Sequence, residues 1–311
     1  MQTLSRQIKE LAFKAGFQLV GITSARQPSK SKYLDEWLTR LYHGNMSWMQ
    51  TRQSIRKDLR LLFPGAKSVI CVGHNYHSPR SGISARSQAQ ISCYGWGKDY
   101  HIVMKRRLKG LDDEIKKLQP SVKSRLCIDS APLMEKLWAE AAGLGWQGKH
   151  SILISQHIGT WFFLGEIIVD IELDYDQPGI DHCGTCQACM KACPTGAITK
   201  PYVLDASRCI SYLTIEYKEE QLPVHLASKM ENWIFGCDIC QQVCPWNKFK
   251  KLTQEQDYLQ LKFFQTANRD DLLKLQENDF KNIFKHSPLK RSGFKCFMRN
   301  LRNSTENQSG S

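Results

Sequence analysis

Eight of the twelve cysteines in this 311-residue chain fall between positions 183 and 244, and their spacing constrains the fold more than any other feature. They read Cys183-x2-Cys186-x2-Cys189-x3-Cys193-Pro194, then a single Cys209, then Cys237-x2-Cys240-x3-Cys244-Pro245. The first run has the bacterial two-cluster ferredoxin spacing, in which the cysteine before the proline serves the other cluster. Thiolates two residues apart wrap one cubane from a tight loop. The second run lacks its first member, and Cys209 is the nearby candidate to supply it. The crossed pattern then assigns one [4Fe–4S] cluster to Cys183, Cys186, Cys189 and Cys244. The other takes Cys193, Cys209, Cys237 and Cys240. Two four-cysteine zinc sites also use C-x2-C, but zinc explains neither the three-member run nor the two Cys-Pro steps.

A chain of this length buries roughly 75% of its extended surface, so its core needs no covalent staples. Residues 1–17 place Leu4, Ile8, Leu11 and Ala15 at helical spacing, with Arg6, Lys9 and Glu10 between them. That is an amphipathic helix rather than a secretory signal. No apolar run approaches the roughly 18 residues of a membrane span. The reading is therefore a cytoplasmic protein with no membrane association, in which thiols serve metal or redox chemistry. Lys and Arg number 43 against 30 Asp and Glu, a formal charge of +13. Two clusters with their eight thiolates would change that by roughly −4, leaving about +9. A surplus of this size points to a polyanionic partner.

Two clusters close together form an electron wire, and 182 residues precede the first cluster cysteine. That stretch is expected to house the site that receives the electrons. KSVICVGHNY (67–76) and WFFLGEIIVDIEL (161–173) have the β-branched density of buried strands. HIVMKRRLKGLDDEIKKL (101–118) and APLMEKLWAEAAG (131–143) carry helical apolar spacing. The expected fold is α/β (α+β): a mixed-sheet domain over 1–175, a ferredoxin-like module over 176–250 and a helical basic segment over 251–302. Residues 303–311 are expected to form a flexible tail.

Longer motifs carry a family resemblance. CGTCQACMKACPTGAI (183–198), RCISYLT (208–214) and GCDICQQVCPWNK (236–248) resemble the cluster module of epoxyqueuosine reductases. FPGAKSVICV (63–72), YGWGKDYH (94–101), CIDSAPLMEKLWAEAAGLGWQGKHSILIS (127–155) and HSPLKRSG (286–293) resemble the rest of that family, in the same order. The resemblance implies a cobalamin-dependent iron–sulfur reductase that removes the epoxide oxygen of epoxyqueuosine at the tRNA wobble position. It implies cob(II)alamin in the N-terminal domain, an external low-potential electron donor, a tRNA anticodon stem-loop as partner, and a monomer.

Carried over residue by residue, the resemblance makes Asp129 the proton donor. A carboxyl pressed by an apolar corrin face would lose hydration and rise in pKa. Asp129 could instead cap the helix expected after Pro132. Arg56, Cys93, His150, Ile152, Leu164, Ser211 and Asp238 match positions around the cobalamin. Each has a plainer reading: a solvated charge for Arg56, a small buried hydrophobe for Cys93, packing for Ile152, Leu164 and Ser211, a turn cap for Asp238. His150 stands where the family usually has Asn, and its imidazole could ligate cobalt. Cys71, Cys127 and Cys296 read as packing residues.

The stretch 281–302 holds seven Lys or Arg and no acid. Lys285, Lys290, Arg291 and Lys295 are the candidate tRNA contacts, interleaved with Phe284, Phe294 and Phe297, which could stack on bases or belong to the core. Lys105, Arg106, Arg107 and Lys109 share a helix with Asp112, Asp113 and Glu114, so they read equally as a solvated face. Two other functions fit parts of the pattern: a corrinoid reductive dehalogenase and a two-cluster electron-transfer subunit. The charge and the lack of a twin-arginine signal oppose the first. The second leaves the upstream domain unexplained.

Overall fold

The computed structural model describes residues 2–79 and 89–306, the last two by backbone alone. Four strands form the central sheet: β1 (Leu19–Ser24), β2 (Ser68–Asn75), β3 (Ser124–Cys127) and β4 (Phe162–Val169), in the order β1-β2-β4-β3. Every neighbouring pair in this sheet is antiparallel, which corrects the expected mixed sheet. The reason lies in the topology. β2 and β3 run in the same direction and are joined through the helix Tyr100–Leu118, but β4 inserts between them. Among the described residues, parallel pairing occurs where Trp233–Phe235 meets Gln90–Ile91, tying the cysteine-rich region to the upstream chain.

Both faces of the sheet are covered, so all eight residues of β2 are buried. On one face, Ile70, Val72, Ile167 and Val169 pack against Ile8 and Ala12 of the helix Leu4–Lys14 and Met104, Leu108 and Ile115 of the helix Tyr100–Leu118. On the other, Cys71, Cys127 and Ile168 pack against Trp138 and Ala139 of the helix Glu135–Ala141. That helix is shorter than 131–143: Met134 lies outside helical backbone at its start, and Gly143, at a φ of 77°, follows its end. The strand and helix over 67–76 and 101–118 agree with the sequence reading within two residues.

A third core draws on distant stretches, joining Tyr76, Trp96 and Trp161 to Phe235, Tyr258, Phe280, Phe284 and Phe297. Phe284 and Phe297 are fully buried and Phe294 packs against the same core, so none of the three offers a free ring to a base. The last helix runs Phe294–Glu306, so residues 303–306 are helical rather than tail; 307–311 lie outside the described residues. No described helix is long and apolar enough to cross a membrane.

Candidate functional site

Asp129 follows the end of β3 with a φ of 40°, a left-handed conformation that Asp tolerates better than most residues. It does not cap a helix, because the next one begins at Glu135 behind Met134. The turn leaves its side chain 57% exposed, with Oδ2 accepting from the Tyr100 hydroxyl and lying 3.3 Å from His101 Nε2. Tyr100 is held flat on Phe163 of β4, with centroids 4.3 Å apart and planes 11° off parallel. His101 Nδ1 lies 2.8 Å from Oδ1 of Asp99, so one imidazole joins two carboxylates.

These contacts set the protonation states. Hydrogen bonding to Asp129 and then to Asp99 pushes His101 up to about 9. Crowding around Asp129 raises its pKa, but hydrogen bonds from His101 and Tyr100 outweigh that and hold it below the ordinary carboxyl value. The expected upward shift of Asp129 is therefore absent from the protein by itself. Its charge is already partnered, and the proton resides on His101.

Behind Asp129 lies a carboxyl pair. Glu135 Oε1 accepts from the Asp129 backbone N–H. Glu166, on β4, is wholly buried and sits in register with Cys71 on β2 and Cys127 on β3. Burial, then the neighbouring charges, pushes Glu135 up to about 8 and Glu166 upward as well. Arg56 is 8% exposed, stacked 5.1 Å over the Trp48 ring, with its Nε buried and without a hydrogen-bond partner. It is not a solvated surface charge. Burial depresses its pKa, and the charges of Asp129 and Glu135 counter this.

The cysteine-rich region reaches the same place through Asp238. This wholly buried carboxylate accepts from the Ser92 hydroxyl and, at 2.8 Å, from the Cys93 N–H, fixing the turn that carries Cys93. Cys93 itself is 4% exposed and lines a cavity with His77, Ser78, Trp96 and Trp161. Ile152 is half-buried in the turn 148–152, Leu164 is half-buried on β4, and Ser211 is the second residue of the helix Ile210–Ile215 that follows Cys209.

Four of the eight cysteines share one cavity. Cys183, Cys186, Cys189 and Cys244 line one cavity, together with Lys149, His150 and Trp246. Cys209, Cys237 and Cys240 are each pushed up chiefly by burial, and the charge of Cys209 acts on both Cys237 and Cys240. Among the described residues no three His, Cys, Asp or Glu side chains converge on a single-ion site. His150 lies with the first set of thiols. Its Nδ1 accepts from the Ile152 N–H at 3.1 Å, so Nε2 carries the proton and has no lone pair for a metal.

The basic segment also comes to Asp129. Asp99 N–H donates to the His286 carbonyl, and Lys290 Nζ lies 2.8 Å from Asp99 Oδ2. Arg291 forms a two-pronged pair with Glu216 and remains 59% exposed, within electrostatic reach of Asp129. Lys285 and Lys295 are exposed. Arg299 differs: its guanidinium is spent on the carbonyls of Leu213, Tyr217 and Glu219. Arg106 and Arg107 pair with Glu255, and Lys109 with Asp113.

Tyr100, His101, Glu135 and Glu166 escaped the sequence reading as site residues. Signals existed: KDYH (98–101) places three ionisable groups beside an aromatic ring, and Glu166 interrupts an apolar strand.

Comparison with known proteins sets this geometry in context. Residues 182–247 match the family model described as "4Fe-4S double cluster binding domain". Residues 56–130 match "Epoxyqueuosine reductase QueG, DUF1730". An epoxyqueuosine reductase of Leadbetterella byssophila is 45% identical over 305 residues, covering 97% of this chain and 98% of the relative. The Escherichia coli (strain K12) epoxyqueuosine reductase is 40% identical over 97% of this chain and 80% of its own. A solved epoxyqueuosine reductase with an epoxyqueuosine-modified tRNA stem loop superposes with a TM-score of 0.85 at 29% identity, covering 98% of this chain and 81% of that one. The structure of the Bacillus subtilis epoxyqueuosine reductase gives 0.87 at the same identity and coverage. The chain thus belongs to the epoxyqueuosine reductase family.

Proposed function

We propose that this enzyme removes the epoxide oxygen of epoxyqueuosine in the tRNA anticodon, with cobalamin bound beside Asp129 and electrons delivered through two [4Fe–4S] clusters. The overall conversion consumes two electrons and two protons and releases water. The observation that carries the reading is the convergence on Asp129 of a proton-bearing imidazole, the turn clamped by Asp238 and the basic segment 286–293.

The donor sets fit both cofactors. Four thiols around one cavity suit a cubane, which supplies one-electron transfer at low potential. Cobalamin presents an apolar ring face edged with amide groups. The orphaned Nε of Arg56, the half-buried Ile152 and Leu164, and Cys93, Ser211 and Asp238 beside the second set of cysteines suit such a body. When bound, cobalamin would supply a strongly reducing cobalt centre. The remaining chemistry belongs to this chain. The epoxide oxygen gains negative charge as its C–O bond breaks and needs a proton at once. Asp129 Oδ2 is the exposed acid, and the His101 Nε2–H, 3.3 Å away, holds the proton that it needs. An apolar face laid over Asp129 would strip its water and favour the neutral acid, drawing that proton across.

Lys290 and Arg291 present positive charge beside this site, and the exposed Lys285 and Lys295 extend the same segment, along which a tRNA phosphate backbone would pass. The segments 1–175, 176–250 and 251–302 then divide the work: cofactor and proton chemistry, electron supply, and RNA contact. An external low-potential donor feeds the clusters, and the enzyme acts in the cytoplasm as a monomer.

The deciding experiment is anaerobic incubation of the cobalamin-loaded protein with a reductant and epoxyqueuosine-containing tRNA, reading the nucleoside by mass spectrometry. Conversion to queuosine is expected. Absence of conversion, with release of halide from an aryl or alkyl halide, would favour a dehalogenase instead.

A further inference from the structure

The hairpin Trp146–Gln147/Leu153–Ile154 grips the first set of cysteines. Its turn is closed by Gly148 N–H to the Ile152 carbonyl at 2.9 Å, with Ser151 at a φ of 63°. From this turn Lys149 Nζ donates to the carbonyls of Gly184 and Cys186, 2.5 and 2.9 Å away, and holds the loop of the C-x2-C run. Two further donors on the hairpin have nowhere to go. The protonated Nε2 of His150 is buried without a hydrogen-bond partner, in a side chain 3% exposed that lines the four-cysteine cavity. The indole Nε1 of Trp146 is likewise buried and orphaned, its ring packed against Cys183, Cys244 and Trp246.

An orphaned buried donor costs about 1–3 kcal/mol, and two of them beside one cavity need a common acceptor. Cysteine thiolates and inorganic sulfides are acceptors, and they gain negative charge when a cluster is reduced. We propose that His150 Nε2–H and Trp146 Nε1–H donate hydrogen bonds to sulfur of the [4Fe–4S] cluster held by Cys183, Cys186, Cys189 and Cys244, and raise that cluster's reduction potential above that of its neighbour. This rests on the proposed assignment of those four cysteines to one cluster. The neighbouring set has a buried carboxylate, Asp238, in the corresponding surroundings, which opposes added negative charge.

The test is an anaerobic redox titration followed by electron paramagnetic resonance, on holoprotein carrying His150→Leu, His150→Asn or Trp146→Phe. In His150→Leu one of the two midpoint potentials is expected to fall, with reduction disfavoured roughly tenfold, about 59 mV for a one-electron couple. His150→Asn restores much of the loss, because its amide also donates. Both potentials unchanged in a His150→Leu protein of full iron content would overturn the proposal. Should that variant lose iron, Trp146→Phe decides by the same criterion. Wild-type protein with isotope-labelled histidine needs no variant: nitrogen coupling to a reduced cluster supports the bond, and its absence refutes it. Iron and sulfide well below about eight each per wild-type chain would sink the cluster assignment itself, a separate result.

Discussion

The Nε2 of His101 stands 3.3 Å from Oδ2 of Asp129, and this pairing stores a proton next to an exposed carboxylate. Asp99, at 2.8 Å from the opposite ring nitrogen, stabilises the imidazolium and fixes the ring. A helix N-terminus and a strand end are thereby joined through one side chain.

The pair predicts the basic limb of the pH profile. His101 is pushed up to about 9, so the protonated form is present below that value and lost above it. Turnover that draws on this proton stays level toward neutral pH and falls as pH rises through about 9. His101→Gln should slow turnover by at least ~100-fold and abolish or displace that limb, whereas Asp129→Asn should lose ~100- to 10,000-fold. Rates under anaerobic saturation with reductant, measured from about pH 6 to 10, check this. An unchanged limb in His101→Gln would refute the role.

Glu166 predicts how stability varies with pH. Burial raises its pKa, so the folded state retains a proton that the unfolded chain releases near 4.5. Such a group contributes stability below the unfolded value, and the contribution declines as pH rises through the folded one. Glu166→Gln keeps the shape of the neutral acid and cannot ionise. It should match the wild type near pH 4.5 and exceed it near pH 8 by about 1 kcal/mol or more, at about 1.4 kcal/mol per pKa unit. Urea unfolding at both pH values measures the difference. Cys71 and Cys127 face Glu166 across the sheet, while Glu135 and Asp129 act from above; none supplies the positive charge needed to hold it ionised.

Legibility in the sequence followed the range of each interaction. The double-cluster domain could be read because its cysteine spacing is local, and the helix Tyr100–Leu118 because its apolar period is local too. The His101–Asp129 contact joins positions 28 residues apart and leaves no periodic trace. Burial of Arg56 depends on the Trp48 ring and the Asp129 turn, neither of which marks a lone Arg as special. Phe284 and Phe297 read equally as stacking rings in the sequence, because their burial comes from the helices Glu277–Ile283 and Phe294–Glu306 packing on one core. The mixed sheet was misread because strand order, with β4 inserted between β2 and β3, is decided by packing across the whole domain.

The crossed cysteine sets predict paired losses. Cys244→Ala should remove about four irons together with the cluster of Cys183, Cys186 and Cys189, although Cys244 sits in the second run. Cys209→Ala should remove about four irons from the other site. Iron analysis with spectra of the residual cluster distinguishes them. If Cys244→Ala and Cys240→Ala left the same residual cluster, an uncrossed arrangement would hold instead.

The basic segment separates RNA contact from structural support. Lys290 and Arg291 are more than half exposed and pair with Asp99 and Glu216; Asp99 is buried, but it keeps the His101 ring and backbone N–H as partners when Lys290 turns away. Each can therefore turn to a phosphate at little cost. Lys290→Ala and Arg291→Ala should weaken tRNA binding and reduce the dependence of log affinity on log salt by about 0.7–0.9 per contact. Folding stability should change little. Arg299 behaves in the opposite way, because its guanidinium satisfies the carbonyls of Leu213, Tyr217 and Glu219. Arg299→Ala should cost about 1–3 kcal/mol of stability by leaving those acceptors unpaired, with the salt slope of the remaining folded protein unchanged. Equilibrium binding over a salt series, beside denaturant unfolding of the same variants, measures both quantities. A salt slope that fell for Arg299→Ala but not for Lys290→Ala or Arg291→Ala would move the RNA path away from Asp129 and onto the last helix.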